Sequence, residues 1–384
     1  MARRSEGAPA APVRFGLIGT GWRSEFFARL ARQAPDAFRV TGVVSRSAER
    51  AAEVAAEWDV PTYASVAELL AAEPEFVIPC VPWAQMGPVT IELVEAGMAV
   101  LAETPPAADL DGLRELWARV GDADLVQVAE QYPRMPQHAA RLAVTQQGVI
   151  GQVTSVQVSS THLYHAVAMI RAFLGAGRGQ VQVHAQDFLA PLANPLSPAG
   201  WSGSAQPEPL TTTLATLDFG GARMGLYDFT ENQWWNPLRD RRIVIRGSNG
   251  EIVDERVTRL TDPYTPVQSP LVRRQAGLDL NLEGVDLQHI SFDGQVVYRN
   301  AFTGARFSED DLAVADLLAA TGAWRRGEGE APYPLAEACQ DHQISLAIGE
   351  SARTGVVVTT TPEGWSDAGG QPGAEPGEGS AAAA

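Results

Sequence analysis

The stretch from Val13 to Phe27, VRFGLIGTGWRSEFF, constrains the fold more than any other part of the chain. It reads as a short apolar strand, a tight turn containing two glycines, and the first turns of a helix. Glycine lets the backbone bend and approach a ligand closely, and the helix N-terminus presents free amide N–H groups to the same space. The pattern predicts the first unit of a parallel βαβ sheet, with a turn that fits a diphosphate. The residues predicted to face it are Gly19, Thr20, Gly21 and Trp22.

The end of the second predicted strand favours one dinucleotide over another. Strand Phe38–Val44 follows at the spacing of a βαβ unit, and an acidic residue at its end would accept hydrogen bonds from the ribose hydroxyls of NAD. Ser45 and Arg46 stand there instead. A small hydroxyl beside a guanidinium suits a 2′-phosphate, so the sequence favours NADP over NAD. The alternative is that Arg46 is only a solvated residue at a helix start.

Strands and helices continue to alternate through the first third of the chain. Apolar runs of strand length are separated by segments with helical periodicity, one of which opens on a capping box of Ser65 and Glu68. This order predicts a parallel doubly wound sheet, whose ligands bind beyond the carboxyl ends of the strands. Further predicted strands are Phe76–Cys80, Ala99–Ala102 and Leu125–Ala129. The candidate site loops that follow them are Cys80–Trp83, Glu103–Pro105 and Glu130–Pro136.

The second half of the chain has strand patterns in a different arrangement. Segments with alternating or β-branched residues predict a mostly antiparallel sheet, and Gly220-Gly221 predicts a hairpin turn within it. Predicted strands are 152–159, 212–219, 222–230 and 242–246, and predicted helices are 310–324 and 335–354. We predict a disordered N-terminus (1–12), an α/β dinucleotide-binding domain (13–135), an α+β domain with a large open antiparallel sheet (136–361) and a disordered acidic tail (362–384).

Charge and cysteine content exclude several classes of protein. The formal net charge is -17 and no basic stripe is present, so we expect no nucleic-acid partner. The two cysteines, Cys80 and Cys339, form no CxxC motif, so neither a disulfide framework nor a metal site is predicted. No apolar run has the length of a membrane span, and the N-terminus lacks the apolar stretch of a signal peptide. We therefore expect a cytoplasmic protein without a membrane partner.

Six motifs follow one another along the chain: GLIGTGW, VSRS, VPW, EAGMAVLAETP, AEQYPRMP and GVIGQVTSVQVS. In this order they resemble the Gfo/Idh/MocA family of glucose-fructose oxidoreductase and inositol dehydrogenase, from Val13 to about Thr360. The resemblance implies an N-terminal NAD(P)-binding Rossmann domain and a C-terminal domain with a large open sheet. One sheet face helps to form the substrate site and the other is often an oligomer interface, so a homo-oligomer, a dimer or a tetramer, is expected.

The family's catalytic pattern transfers only in part. Most members have Glu-Lys-Pro where this chain has Glu103-Thr104-Pro105, and a threonine cannot supply the positive charge that lowers the pKa of a substrate hydroxyl. The family's catalytic histidine corresponds to His165, whose neutral imidazole suits the role of base, with core packing as the alternative. Tyr164 and His162 crowd the same turn, as proton relays or as capping and packing residues. The predicted catalytic residues are His165, Tyr164 and Thr104.

The resemblance also implies contacts with cofactor and substrate. In the family, the counterpart of Glu103 holds the nicotinamide ribose or the backbone. Trp83, in the Pro82-Trp83 loop, can lie along the nicotinamide. Arg134 clamps a carboxylate or a sugar hydroxyl, or else forms an inter-domain ion pair. Trp234 stacks on a sugar ring or buries a subunit contact. The predicted substrate-binding residues are Tyr132, Arg134, His162 and Trp234.

Two classes of function follow. The first is an NAD(P)-dependent oxidoreductase acting on a CH–OH group of a sugar, cyclitol or related polyol, with His165 as base and Thr104 or Tyr164 taking over part of the lysine's role. The second is a nucleotide-binding regulatory protein without dehydrogenase turnover. A lyase or hydrolase that uses bound NAD transiently is a third alternative. We expect the oxidoreductase, and the missing lysine is the feature that separates these alternatives.

Overall fold

The computed structural model describes residues 11–277 and 281–368. Strands and helices alternate through the N-terminal domain, as the sequence predicts. They are β1 (Val13–Ile18), α1 (Trp22–Gln33), β2 (Phe38–Val44), α2 (Ala48–Trp58), β3 (Thr62–Tyr63), α3 (Val66–Leu70), β4 (Phe76–Pro79), α4 (Trp83–Glu95), β5 (Val100–Ala102), α5 (Leu110–Val120) and β6 (Val126–Val128). The six strands pair in parallel in the order β3-β2-β1-β4-β5-β6, so the predicted doubly wound sheet is confirmed.

Apolar side chains on both faces of the strands hold this sheet between its helices. Phe15 on β1 is fully buried, stacks on Phe76 of β4 with ring centroids 5.9 Å apart, and meets Phe27 of α1 edge to face. Half of the predicted capping box of α3 is present, because Ser65 Oγ accepts the Glu68 amide N–H, whereas the Glu68 side chain accepts the Ala64 amide N–H. Helix α4 differs from the prediction, since Trp83 is its first residue and does not belong to the preceding loop.

The C-terminal domain is built around a long sheet. Its elements are α6 (Pro136–Gln146), β7 (Val153–Ser159), α7 (Leu163–Leu174), β8 (Gln182–Ala193), β9 (Leu196–Ser197), β10 (Gly200–Trp201), β11 (Pro207–Asp218), β12 (Met224–Thr230), β13 (Arg242–Gly247), β14 (Gly250–Val253), β15 (Arg256–Asp262), β16 (Thr265–Pro270), β17 (Val272–Ala276), β18 (Asp286–Phe292), β19 (Gln295–Arg299), α8 (Glu309–Arg325), α9 (Leu335–Thr354) and β20 (Val358–Thr359). A 3₁₀ turn, Tyr132–Arg134, joins the two domains.

Nine strands form the sheet in the order β16-β15-β14-β13-β7-β12-β11-β8-β20, and the pair β7 with β12 is parallel while the other neighbours are antiparallel. The predicted open, mostly antiparallel sheet is therefore confirmed, as is the hairpin at Gly220-Gly221. Strand β8 is absent from our prediction. It holds Asp187 and Pro191, which disfavour strands, but it pairs with β11 over its full length.

The two domains share buried apolar contacts. One cluster runs from Val13 and Phe15 in the N-terminal sheet to Val156 and Leu312 in the C-terminal domain. The segment before α9 returns to the N-terminal sheet, where the Val128 amide donates to Tyr333 O at 2.9 Å. The last long helix therefore lies beside the N-terminal domain, as the family resemblance implies.

Part of the predicted disordered tail is ordered. Residues 362–368 pack on the protein, and Trp365 is fully buried with its ring edge to face against Trp117 at 6.3 Å. Arg178 donates from Nε to the Trp365 carbonyl oxygen at 2.9 Å. Because the residues around this tryptophan are rich in Gly and Asp, their composition predicts disorder and not a buried contact. Most of the predicted disordered N-terminus, 1–10, and the rest of the tail, 369–384, lie outside the described residues.

Candidate active site

The glycine turn after β1 has the geometry that its sequence predicts. Gly19 has φ +106°, and a Cβ there would lie 2.4 Å from the carbonyl oxygen of Cys80, so no other residue fits without a shift. Its amide donates to Val44 O at 3.1 Å, which ties the turn to β2. Gly21 is the N-cap of α1 with φ −82°, and a Cβ there would meet nothing within 4 Å. The turn is therefore closely packed at Gly19 and open to a ligand at Gly21.

The open side of this turn suits an anion. Helix α1 has no side-chain cap, so the amide groups of its first turn point into the open space without a side-chain acceptor. A helix N-terminus also carries a partial positive charge. These residues fit the diphosphate of a dinucleotide, and Thr20 and Trp22, which is 74% exposed, flank the same space.

Two arginines lie where the sequence predicts the ribose. Ser45 at the end of β2 is buried and donates from Oγ to Ser47 O at 3.1 Å, so its hydroxyl serves the backbone. Arg46 is exposed, and its guanidinium has no hydrogen bond or ion pair within the described ranges. Arg50, in the first turn of α2, donates from Nη2 to the Thr20 carbonyl oxygen at 3.4 Å, while its Nη1 forms an exposed ion pair with Glu53 at 2.9 Å. Sequence reasoning missed Arg50, which lies in the first turn of α2, whereas Arg46 precedes the helix.

Glu103 lies beside the glycine turn but has a protein partner. Its Oε1 accepts a hydrogen bond from Arg23 Nε at 2.8 Å, and both side chains are largely buried. Burial and the Glu103 carboxylate raise the pKa of the neighbouring Cys80 thiol to about 12, so that thiol stays protonated. Thr104 follows at the end of β5, before a cis peptide bond to Pro105. Because Ala129 N donates to Ala102 O at 2.7 Å, the end of β5 is adjacent to the end of β6.

A buried glutamate follows β6 and contacts the predicted base. Glu130 is fully buried, and its Oε2 lies 2.5 Å from His165 Nδ1. Its other oxygen, Oε1, accepts the Tyr132 amide N–H at 2.9 Å, which holds the carboxylate in place. A carboxylate on Nδ1 selects the tautomer that leaves Nε2 free to accept a proton. The predicted loop Glu130–Pro136 contains this residue, but sequence reasoning assigns it no role. An acidic residue directly after a buried strand is the available signal.

Aromatic rings surround His165. The Tyr132 ring lies 4.5 Å from the imidazole, and His162 meets it edge to face at 5.2 Å. Trp234 contacts His162 edge to face at 4.5 Å, and Phe229 closes the group behind it. Burial, together with His165, lowers the pKa of His162 to about 4, so His162 is neutral near pH 7. The predicted residues Tyr132, His162 and Trp234 therefore lie together as one wall.

Next to this wall, several buried polar atoms lack partners. Within the described part of the chain, no hydrogen bond reaches three of them, which belong to the loops that follow β6 and β7. They are Gln131 Oε1, Ser160 Oγ and His162 Nδ1. Buried polar atoms are normally hydrogen-bonded, so a cluster without partners is a place for a ligand with hydroxyl groups.

Two predicted site residues have different surroundings from those expected. Tyr164 is 4% exposed, and its hydroxyl has no partner among residues 11–277 and 281–368. It packs on His342 in the core, so its position supports the packing alternative and not the relay. Arg134 forms an ion pair with Asp316 of α8 at 2.5 Å and donates to Pro332 O. The inter-domain ion pair is therefore present, and Arg134 is already engaged. Trp83 is 62% exposed at the start of α4, free to meet a ligand.

The comparisons with known proteins agree with this geometry. Residues 13–131 match the Gfo/Idh/MocA oxidoreductase family, described as having an NAD-binding Rossmann fold. The N-terminal domain belongs to this family. Among proteins with curated functions, no significant match to the sequence is found. Solved structures nevertheless extend the likeness to the C-terminal domain.

Three solved structures illustrate this shared fold. A myo-inositol dehydrogenase from Corynebacterium glutamicum has 18% identity and a TM-score of 0.61, covering 91% of this chain and 99% of its own. An oxidoreductase from Agrobacterium radiobacter in complex with NAD+, L-tartaric acid and magnesium has 16% identity and a TM-score of 0.64, covering 90% and 98%. The WlbA dehydrogenase from Bordetella pertussis in complex with NADH and UDP-GlcNAcA has 18% identity and a TM-score of 0.60, covering 91% and 99%. The fold shared with these structures therefore spans both domains.

The described residues contain neither a metal-binding cluster nor a membrane-spanning helix. Within 11–277 and 281–368, no group of three or more His, Cys, Asp or Glu side chains could hold a metal ion. In the same ranges, no helix is both long and apolar enough to cross a membrane.

Proposed function

We propose that this protein is an NAD(P)-dependent oxidoreductase that transfers a hydride between nicotinamide and a sugar, cyclitol or related polyol. The observation that carries the proposal is the 2.5 Å contact between Glu130 Oε2 and His165 Nδ1 at the carboxyl edge of an NAD-binding sheet. A buried carboxylate that orients an imidazole is the arrangement of a general base. Its place at the end of β6 is where ligands of such sheets bind.

His165 performs the proton transfer in this account. When a nicotinamide nucleotide is bound at the glycine turn, it supplies the hydride acceptor or donor. In the oxidising direction the secondary alcohol loses its C–H hydrogen as hydride and its O–H proton to His165 Nε2, which leaves a ketone. The Glu130 side chain stabilises the imidazolium that forms, because it already bonds Nδ1. The reverse direction returns the proton from Nε2 to the carbonyl oxygen.

The arginines beside the turn support NADP as the preferred nucleotide. A 2′-phosphate on the ribose carries negative charge that Arg46, without a partner in the described residues, and Arg50 can pair with. NAD has no such group and two hydroxyls instead, and Ser45 is occupied by Ser47 O. The Gfo/Idh/MocA family binds NAD, so both nucleotides are expected to bind and the phosphate sets the preference.

The wall around His165 supports a polyhydroxy substrate. Trp234 and Tyr132 offer ring faces to the C–H groups of a sugar or cyclitol. Ser160 Oγ and Gln131 Oε1 are buried without partners in the described ranges, and substrate hydroxyls would satisfy them. Similar folds bind hydroxylated compounds, since two of the solved structures are named as complexes with L-tartaric acid and with UDP-GlcNAcA.

A second candidate function is a nucleotide-binding regulatory protein without turnover. Thr104 favours it, because a hydroxyl cannot replace the positive charge of the family's lysine. A lyase or hydrolase that uses bound NAD transiently needs the same base and the same cofactor site. The Glu130–His165 pair favours an enzyme over a regulatory protein. A buried glutamate is costly unless it has a partner, and here that partner is the proposed base.

We also propose a cytoplasmic homo-oligomer, a dimer or a tetramer. Cys80 and Cys339 are free thiols, which suits a reducing compartment. Apolar side chains on one face of the nine-stranded sheet are partly exposed, as an interface between copies would require. They are Phe188, Leu214 and Met224.

The direct test is a substrate screen with the purified protein. Polyols and their ketones are incubated with each nucleotide, and the nicotinamide absorbance is followed. The proposal expects turnover in the wild type that His165→Ala abolishes while nucleotide affinity is unchanged. Tight nucleotide binding with no absorbance change for any substrate would favour the regulatory protein, and product formation without net absorbance change would favour the transient use of NAD.

A further inference from the structure

A cleft of about 310 Å³ opens next to the proposed active site. Tyr132 and Ser160 line it, and the Tyr132 ring also contacts His165, so the cleft and the site share a wall. Its volume is at the lower end of the range for small-ligand pockets, which suits one part of a substrate. None of the roles proposed above uses the cleft beyond Tyr132 and Ser160.

A buried arginine without a carboxylate partner lies in this cleft. Arg141 is 5% exposed; its Nε donates to Asp254 O at 2.6 Å, and its Nη1 lies 2.9 Å from His138 Nδ1. Within the described ranges, no carboxylate comes within ion-pair distance of its guanidinium. Asp254, Glu255 and Glu309 act on it only from beyond that distance, so the guanidinium can still pair directly with a ligand that brings a negative charge.

A second arginine strengthens the positive end of the cleft. Arg241 donates from Nη2 to Trp234 O at 2.6 Å and has no ion pair in the described part of the chain. Burial and the charges of Arg141 and Arg241 lower the pKa of His138 well below its usual value, so the imidazole between them is neutral. Both guanidinium groups therefore line the same cleft, and in the described part of the chain neither has a carboxylate within ion-pair distance.

Three carboxylates also line the cleft, but two of them are occupied. Glu309 forms an ion pair with Arg273, and Asp254 accepts the Ile243 amide N–H at 2.8 Å. The Glu255 side chain is exposed on the rim. The three carboxylates act on Arg141 from beyond ion-pair distance, whereas Arg241 acts on Tyr132, whose ring contacts the proposed base.

Helix α6 adds to the positive end. It begins at Pro136 with no side-chain cap, and its first turn faces the cleft through Met135 and Gln137. The Gln137 Oε1 atom is buried without a partner in the described residues, so it can accept a hydrogen bond from a ligand hydroxyl. An anion and a hydroxyl on one ligand would satisfy both features.

We propose that this cleft binds an oxyanion, a carboxylate or a phosphate, at the end of the substrate remote from the reacting carbon, with Arg141 and Arg241 as its binding pair. The inference rests on the proposed function, since it extends the same site, and it narrows the substrate class to anionic polyhydroxy compounds. Arg and oxyanions form charge-assisted, often bidentate hydrogen bonds, which gives both affinity and orientation.

The test compares matched neutral and anionic probes by calorimetry on the full chain, with and without reduced nucleotide. The probes are D-sorbitol against D-gluconate, D-glucose against D-glucose 6-phosphate, and inorganic phosphate alone. We expect each anionic polyol to bind at least about tenfold more tightly than its neutral partner. The stronger of the two preferences identifies the oxyanion as a carboxylate or a phosphate.

Variants test whether the preference for anionic probes depends on the cleft. Arg141→Met and Arg241→Gln should each remove most of the preference for anionic probes. Because Arg241 is at the surface, Arg241→Gln should fold and can still test the proposal if Arg141→Met does not fold. Arg246→Gln, an exposed arginine on β13, is the matched control and should keep the preference. Equal binding of neutral and anionic probes, no binding of either anionic polyol, or an unchanged preference in folded Arg241→Gln overturns the proposal. Inorganic phosphate that binds as tightly as D-glucose 6-phosphate also overturns it.

The failure of this inference can be separated from failure of the proposed function. Turnover of neutral polyols without any anion preference counts against the cleft alone. An anion preference that depends on Arg141 and Arg241, in a protein that oxidises or reduces none of the probes, counts against the oxidoreductase and leaves the cleft assignment in place.

Discussion

Glu130 Oε2 lies 2.5 Å from His165 Nδ1, and this contact joins the carboxyl edge of the N-terminal sheet to the first turn of α7. The two residues are 35 positions apart in the chain and belong to different domains. The orientation of the proposed base, His165, is therefore fixed by a residue of the N-terminal domain. In the proposed reaction, the hydride acceptor is held by one domain and the proton acceptor by the other. They can act on the carbon and the hydroxyl of one substrate CH–OH group only when the two domains are docked as seen here.

Replacing Glu130 by Gln should reduce turnover much more than binding. The amide introduced by Glu130→Gln can still accept the Tyr132 N–H, but it would donate to His165 Nδ1 and leave the proton on Nε2, where it blocks proton abstraction. We expect kcat to fall roughly 10²- to 10⁴-fold, as for the wrong tautomer in other dyads, with nucleotide affinity within about twofold of wild type. Steady-state kinetics and calorimetry measure the two quantities. Unchanged kcat in Glu130→Gln would remove the orienting role.

The two glycines of the turn should respond differently to alanine. Gly19→Ala places a Cβ against the Cys80 carbonyl at a φ of +106°, and we expect it to lower the free energy of unfolding by about 2 kcal/mol or more. Gly21→Ala meets no protein atom and should change that energy by less than about 0.5 kcal/mol. Its Cβ enters the space for the diphosphate, so nucleotide affinity should still fall about tenfold. Full affinity in a stable Gly21→Ala protein would place the nucleotide elsewhere.

The arginine pair predicts how the protein distinguishes its nucleotides. Arg46→Gln and Arg50→Gln should each weaken NADP roughly tenfold and leave NAD within about twofold, because only NADP carries the 2′-phosphate. Arg39→Gln on β2, an exposed arginine, serves as the control. Titrations with both nucleotides give the ratio. Equal losses for NADP and NAD would mean that these arginines do not contact the 2′-phosphate.

Local patterns in the sequence predicted the frame of the fold. The turn at Gly19 and Gly21 and the alternation of apolar strands with helices were sufficient for the parallel sheet, because each depends on neighbouring residues. Strand β8 was missed, since Asp187 and Pro191 argue against a strand and its pairing with β11 depends on residues distant in the chain. Trp365 was missed for the same reason, because its burial against Trp117 is a long-range contact.

The sequence predicted which residues lie at the site better than it predicted which groups they contact. The sequence located His165, His162, Tyr132 and Trp234, and the structure brings these four rings together. The sequence could not show that the Glu130 carboxylate contacts His165, nor that Arg134 forms an ion pair with Asp316. Both facts depend on how the two domains dock, which no local pattern records.

Buried histidines should make the protein less stable in acid. Burial lowers the pKa of His342 to about 4 from its usual value of 6.5, so its contribution to stability is complete above about pH 6.5 and is lost as the pH falls toward 4. Asp341, whose burial raises its pKa to about 6, acts in the opposite direction. Comparing wild type with His342→Gln isolates the histidine. The stability difference between them should narrow by about 2–3 kcal/mol between roughly pH 7.5 and 4.5, and a pH-independent difference would contradict the assignment.

The anchor at Trp365 should contribute strongly to stability. Its ring is fully buried against Trp117, and Arg178 bonds its carbonyl oxygen. We expect Trp365→Ala to lower the free energy of unfolding by about 3–5 kcal/mol, as for other large buried aromatic residues. Trp201→Ala, at a position that is 73% exposed, should change it by less than about 1 kcal/mol. Chemical denaturation of both variants checks this, and similar small effects would mean that the segment is not anchored.

The most direct test of the central claim is a calorimetric titration of the purified protein with NADPH and NADH, repeated for His165→Ala and Gly21→Ala. We predict that His165→Ala binds each nucleotide as tightly as wild type does, and that Gly21→Ala binds each about tenfold more weakly. Absence of measurable binding to wild type, or full affinity in Gly21→Ala, would contradict the cofactor site on which the proposed chemistry of Glu130 and His165 depends.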